Sequence, residues 1–285
     1  MSSASGRAAG NIAAGRARLL LDLCHMAPHP DAIGAAAELA RLLKRDLLGI
    51  YVEDEAVQRL AHLPFARELR LPSQAWAVLD PAQLDAEFRG AAGALQAMLR
   101  HHASRFEVRS EFLAVRANPA GYVASLSDAA DIVALETPRE ASARLFGSFA
   151  AAWSAAIGSR ATALLLPARL ARRRGPIATV LASGTEPRAR AAAALAVATG
   201  EDLVVILQDA DGPFRSLEGA SRAVGLGVRR LSIRRLGEPS AEALLRALNG
   251  VGERLVMLDR QFISGAGWPA ATRLSEALGV PLLFD

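Results

Sequence analysis

Cys24, His25 and His29 stand together directly after an apolar run, in the order Cys-His-x3-His. Two chemistries could use such a group. Thiolate and imidazole are zinc ligands, and a thiolate beside an imidazole is a nucleophile. No fourth ligand stands nearby for the first role. For the second, no oxyanion loop or orienting partner can be assigned. The three residues therefore read as a buried, unreactive thiol with two loop histidines. Cys24 is the only cysteine, which excludes an internal disulfide and any thiolate-cluster metal site and fits a reducing cytoplasm. We expect no catalytic residue and no metal.

Other polar groups have structural readings beside their chemical ones. His101 and His102 close a helical stretch, where a cation meets the helix dipole favourably. Ser148 reads as an N-cap for the helix beginning at Phe149, with a phosphate-facing hydroxyl as the sharper alternative. Trp153 and Trp268 read as core or interface aromatics. Arg172-Arg173-Arg174 reads as a solvated run between two halves, with an acidic partner as the alternative.

The elements that must position these groups follow one order twice. Arg18–Leu23 is an apolar run of strand length, and Asp31–Leu43 has apolar residues three and four apart, as a covering helix does. Asp46–Val52 (strand), Pro81–His102 (helix), Phe106–Val115 (strand), Pro119–Ser127 (helix), Asp131–Leu135 (strand), Phe149–Ile157 (helix) and Ala161–Leu166 (strand) complete the first unit. The second repeats the order more compactly. Its strands are Ile177–Ala182, Asp202–Leu207, Val228–Ile233, Arg254–Leu258 and Val280–Phe284. Its helices are Arg188–Thr199, Phe214–Ala223, Ala241–Leu248 and Pro269–Leu278.

Alternating strands and helices with short connections predict an α/β fold: two tandem, doubly wound, five-stranded parallel sheets of Rossmann-like type. The expected layout is a flexible tail over 1–16, a first domain over 17–167, a linker over 168–175 and a second, shorter domain over 176–285. The linker ends in Gly175-Pro176, a natural boundary. Two separate parallel sheets related by an approximate two-fold axis are expected. The long segment from Glu55 to Asp80 reads either as a lid or partner surface, or as a packed loop.

Composition narrows the class. Hydrophobic residues make up 52% of the 285, enough for sizeable cores. No apolar run approaches the ~20 residues needed to cross a bilayer. The opening segment has no continuous apolar core of a secretory signal. Of the 33 basic residues Lys44 is the only lysine, which explains a pI near 10.1 beside a formal charge of only +4. Aromatic residues at 5% offer few stacking platforms, so neither nucleic acid nor membrane is expected as a partner.

Ala35-Ala36-Ala37-Glu38-Leu39-Ala40-Arg41-Leu42-Leu43, followed by Asp46-Leu47-Leu48-Gly49-Ile50-Tyr51-Val52-Glu53-Asp54-Glu55, resembles the first helix and second strand of universal stress proteins. Leu63-Pro64-Phe65-Ala66-Arg67-Glu68 resembles a segment of proteobacterial members. With the doubled order of elements, the chain is similar to a tandem universal stress protein over nearly its whole length after the tail.

In nucleotide-binding members of that family, the resemblance implies an aspartate ending the first strand and a G-x2-G-x9-G-[S/T] loop after the fourth. Glycines there let the backbone approach phosphates, and helix-start N–H groups hold the anion. This chain departs from that pattern in both halves. Glu136 and Arg139 occupy the first two glycine positions of the first unit, and Gly147-Ser148 survives as the closing pair, two residues early. Asp22 is followed by Leu23-Cys24-His25 rather than by small residues. In the second unit Asp259 and Phe262 replace the glycines, Gly267 matches the closing one, and Trp268 replaces its hydroxyl neighbour. Ser183-Gly184-Thr185-Glu186-Pro187 resembles the family's first loop.

Glu136 and Asp259 would then repel a triphosphate at the mouth of each cleft, while Arg139 offsets some of this by meeting a phosphate. The expected function is a non-catalytic stress-protein-like module without a cofactor. It would act through an unknown protein partner or small ligand, as a monomer with an internal pseudo-dimer or as a homodimer. ATP held by Arg139, Gly147 and Ser148, with Gly184, Thr185 and Gly267 as remnants, is the alternative. An enzyme of unknown chemistry at Cys24 is the third.

Overall fold

The computed structural model describes residues 16–24, 30–70, 74–138, 149–182, 187–208, 227–264 and 267–285. The first half runs β1 (Arg18–Asp22), α1 (Pro30–Leu42), β2 (Asp46–Asp54), α2 (Glu55–Ala61), β3 (Arg67–Arg70), β4 (Ala75–Val78), α3 (Pro81–Arg105), β5 (Ser110–Ala117), α4 (Pro119–Ser125), β6 (Ile132–Glu136), α5 (Phe149–Gly158) and β7 (Thr162–Leu166). The second runs β8 (Ile177–Leu181), α6 (Pro187–Thr199), β9 (Leu203–Leu207), β10 (Leu231–Arg235), α7 (Ala241–Leu248), β11 (Leu255–Leu258), α8 (Gln261–Ser264), α9 (Gly267–Leu278) and β12 (Leu282–Phe284). The helix expected over 214–223 lies outside the described residues.

The main sheet has ten strands in the order β10-β9-β8-β11-β12-β7-β6-β1-β2-β5. Counted within its own half, each set of five follows the order third, second, first, fourth, fifth, with every neighbour parallel. This is the doubly wound arrangement expected from the alternating elements. One expectation is corrected. The two parallel sets are not separate sheets, because β12 pairs with β7 antiparallel and joins them into a single sheet of mixed direction. The physical reason is that β7 and β12 are equivalent edge strands. Each would otherwise present a row of open N–H and C=O groups, and two such edges facing across a two-fold axis pair antiparallel.

Both faces of the sheet are covered, which is why its strands read as unbroken apolar runs. Leu19 and Leu21 of β1 point to one face, against Ala36, Ala40, Leu95 and Leu99 of α1 and α3. Leu20 points to the other, in the layer holding Phe149 and Trp153 of α5, Leu244 of α7 and Leu274 of α9. Each fully buried large side chain contributes about 1.5–3 kcal/mol. Gly175 has φ +131°, and a Cβ there would lie 2.2 Å from the Gly252 carbonyl oxygen. The turn into the second half is therefore open to glycine alone.

Glu55 to Asp80 is not a loop. Asp54 caps α2 by accepting from the Ala56 N–H, and β3 and β4 form an antiparallel hairpin separate from the main sheet. Phe65, Trp76 and Val78 of this segment are exposed. Only Leu95, Leu99 and Ala103 of α3 are buried, so its first turns extend beyond the core.

One ion pair secures the central strands at their starts. The Asp131 carboxylate accepts from the Arg18 backbone N–H (2.8 Å), the Arg18 guanidinium Nη2 (2.6 Å) and the Asp128 N–H (3.0 Å). Burial works to raise the Asp131 pKa, but these donors outweigh it and hold the carboxyl below its usual value. A carboxylate with a depressed folded pKa stabilises fully above its unfolded pKa, and loses that contribution as pH falls through the folded one. Asp131→Asn is therefore expected to cost about 3 kcal/mol at pH 7, measured by urea unfolding. The gap from the parent should narrow as pH falls below about 4.

Candidate functional site

In sheets of this order the crevice lies beyond the carboxyl ends of the strands, where the winding reverses. That point falls between β1 and β6 in the first half and between β8 and β11 in the second.

At the first crevice β1 ends in Asp22, which is 2% exposed. Its Oδ1 accepts from the Cys24 N–H at 2.8 Å, so the carboxylate holds the turn that leaves the strand. Cys24 is half-buried, somewhat more open than expected. Its Sγ accepts from the Val52 N–H at 3.2 Å. Burial first, and then the Asp22 charge, push the thiol pKa far up, the reverse of what a nucleophile needs. Glu136 ends β6 and is buried, and the Thr137 N–H donates to the Leu166 carbonyl at 2.8 Å. Glu136 is thus enclosed in the strand layer rather than displayed at a mouth. His25, His29, Arg139, Gly147 and Ser148 lie outside the described residues, as do Gly184 and Thr185.

The second crevice contains a group the sequence reading missed. Arg188, in the first turn of α6, has a side chain only 6% exposed. Its Nη2 donates to Asp259 Oδ2 at 3.0 Å, and its Nε lies 3.0 Å from Asp285 Oδ1. The other Asp259 oxygen accepts from the Gln261 N–H at 2.6 Å and starts α8. Asp259 is therefore not a bare repelling charge. A guanidinium, a helix start and two carboxylates stand together at the ends of β11 and β12. The space left, lined by Val180, Ala182, Gln208, Pro239 and Phe262 beside this cluster, is about 220 Å³. That is below the ~300–1,000 Å³ of ordinary ligand sites. Gly267 has φ +62°, so backbone conformation alone accounts for a glycine there.

The signal for Arg188 was present in the sequence. A cation in the first turn of a helix opposes the macrodipole by about 0.3–1 kcal/mol, so an arginine straight after Pro187 implies acidic partners. Which partners could not be read, because they come from far along the chain.

The next residue fastens the two halves. Arg260 donates through Nη1 to the carbonyls of Ile157 (2.7 Å) and Ser159 (2.6 Å), and through Nη2 to that of Ala161. It thereby satisfies the open end of α5. Trp153 meets Phe284 edge-on at 5.3 Å, and Phe149 meets Trp268 at 6.1 Å, so both tryptophans sit where the halves join. Two arginines of the run are ion-paired rather than merely solvated. Arg172 lies 3.7 Å from Glu253, and Arg173 lies 3.3 Å from Asp31. Among the described residues no cluster of three or more His, Cys, Asp or Glu could hold a metal, and no helix is long and apolar enough to cross a membrane.

The fold is that of the universal stress proteins. The chain superposes on a universal stress protein from Archaeoglobus fulgidus with a TM-score of 0.61, at 14% identity, over 93% of this chain and 95% of that one. A Pseudomonas aeruginosa protein of unknown function matches with a TM-score of 0.54, at 13% identity, over 95% and 92%. No protein-family model matches the sequence, and no curated protein matches it significantly. The resemblance read from Asp31 to Glu68 is thus met at the level of the whole fold.

Two outcomes follow from the geometry. Arg188→Met should lower unfolding free energy by about 2 kcal/mol, because Asp259 and Asp285 lose their counter-charge while keeping some contact with water. Thermal or urea unfolding reads it. Cys24 should react with a thiol reagent near pH 7 far more slowly in the native protein than in urea. Rapid stoichiometric native labelling would contradict the raised thiol pKa.

Proposed function

We propose that the protein is a non-catalytic, universal-stress-protein-like module of the stress response, a cytoplasmic internal pseudo-dimer that acts through a protein partner or a small ligand other than ATP in its clefts. The observation that supports this reading best is the Arg188–Asp259–Asp285 cluster in the second crevice. An ATP entering there would have to displace a buried guanidinium from two carboxylates before gaining any phosphate contact. Phe262 also lines that crevice, at a position where the family's nucleotide-binding pattern has glycine, and a bulky side chain denies close backbone approach. In the first crevice the buried Glu136 stands where glycine would be needed.

The exposed apolar residues of α2, the hairpin and the turn between them, Leu60, Phe65, Trp76 and Val78 among them, support action through protein contacts. ATP held by the first half through Arg139, Gly147 and Ser148 is the competing reading. Titration calorimetry with magnesium ATP separates the two. At any site for which adenosine competes, affinity no tighter than millimolar is expected, and a micromolar constant there would establish nucleotide binding instead.

A further inference from the structure

A second cavity of about 620 Å³ opens between the two halves, at the C-terminal ends of α1, α3 and α6. Six arginines line it (Arg41, Arg105, Arg173, Arg174, Arg229 and Arg254) against two glutamates, Glu38 and Glu201. Both glutamates are engaged by one of the six. Arg254 has a side chain 9% exposed, with Nη2 2.6 Å from Glu38 and Nη1 4.0 Å from Glu201. Arg229 lies 3.4 Å from Asp202 and Arg173 lies 3.3 Å from Asp31. Among the described residues no carboxylate lies within salt-bridge distance of Arg41, Arg105 or Arg174, and all three are exposed.

Helix ends account for only part of this charge. The C-termini of α1, α3 and α6 converge on the cavity, and each carries about half a negative charge. Together they offset about one and a half of the three unpaired charges and favour Arg41 and Arg105 in their own last turns. Arg174 belongs to no helix and has no such reason to be there. The field is felt nearby. The His102 pKa is lowered by burial first, then by His101, and then by Arg105 and Arg173. A concave, arginine-lined site focuses positive potential, and guanidinium donors match phosphate oxygens two at a time.

We infer that this cavity is a binding site for a small polyphosphate anion, held by Arg41, Arg105 and Arg174 around the Arg254–Glu38 pair. Its volume suits a chain of three or four phosphates, with or without a nucleoside attached. The cavity is distinct from the strand-end crevices, since none of its lining residues stands at the carboxyl end of a strand and both halves contribute to it. Such a ligand would bridge α1 and α3 of the first half to the linker and so tighten the junction between halves. This site does not depend on the reading of the crevices as closed.

Calorimetry with sodium tripolyphosphate, without magnesium and at ~0.15 M salt, tests the assignment on the full chain. Affinity in the micromolar range is expected, falling steeply as salt rises. Inorganic monophosphate should bind at least ten-fold more weakly. The double substitution Arg105→Glu and Arg174→Glu should weaken tripolyphosphate at least ten-fold while leaving the melting temperature within a few degrees, because both side chains are exposed and outside any ion pair among the described residues. Arg41→Glu provides an independent variant with the same expected loss. No detectable binding, or equal binding by these variants, would overturn the site. A DNA duplex binding more tightly than tripolyphosphate, and lost in the same variants, would assign the arginines to nucleic acid instead. ATP binding that survives the double substitution belongs to the crevices and bears only on the nucleotide reading above.

Discussion

The antiparallel pairing of β7 with β12 is the contact on which the rest of the molecule depends. Leu165 faces Leu282, Leu164 faces Leu283 and Ala163 faces Phe284, and this short ladder turns two five-stranded sheets into one of ten. Its backbone hydrogen bonds close the two edges most exposed to pairing with another chain. Its side chains carry the aromatic layer in which Trp153 meets Phe284.

Arginine does the long-range fastening throughout. Arg18, Arg188, Arg254 and Arg260 are each largely removed from water and each hold groups from distant segments. Guanidinium suits that task better than ammonium. It is planar, always charged, more weakly hydrated, and presents five N–H donors in a fixed fork. Arg260 uses the fork on three carbonyls, and Arg188 uses it on two carboxylates. A composition with a single lysine therefore has structural consequences, whatever its origin.

Carboxylates stand at the strand ends of both crevices. In the first, Asp22 is spent on the backbone of Cys24 and Glu136 is enclosed in β6. In the second, Asp259 is divided between a helix start and Arg188. Asp22 and Asp259 are thus each held by groups of the protein itself. Open positive charge has accumulated where three helix C-termini and the linker meet.

The sequence by itself determined nearly every element and the order in which the elements repeat. Apolar runs and helical spacing are local signals, written within a few residues of where they act. Thus α7 was legible at Ala241–Leu248 and α3 at its opening Pro81, while the hairpin of β3 and β4 was not, because its faces are exposed and its pattern weak. It also set Glu136, Arg139, Asp259 and Phe262 where the nucleotide-binding pattern of the family it resembles has glycine, which is visible wherever the chain is read. Tertiary structure alone decided that the halves merge into one sheet, because an edge strand's partner is chosen by what else in the fold faces it. It alone decided that Asp259 meets Arg188, 71 residues away, and that arginines from α1, α3 and the linker surround one cavity. Charge counts are properties of composition, but potentials are properties of position, and position is set by the long-range packing of the sheet.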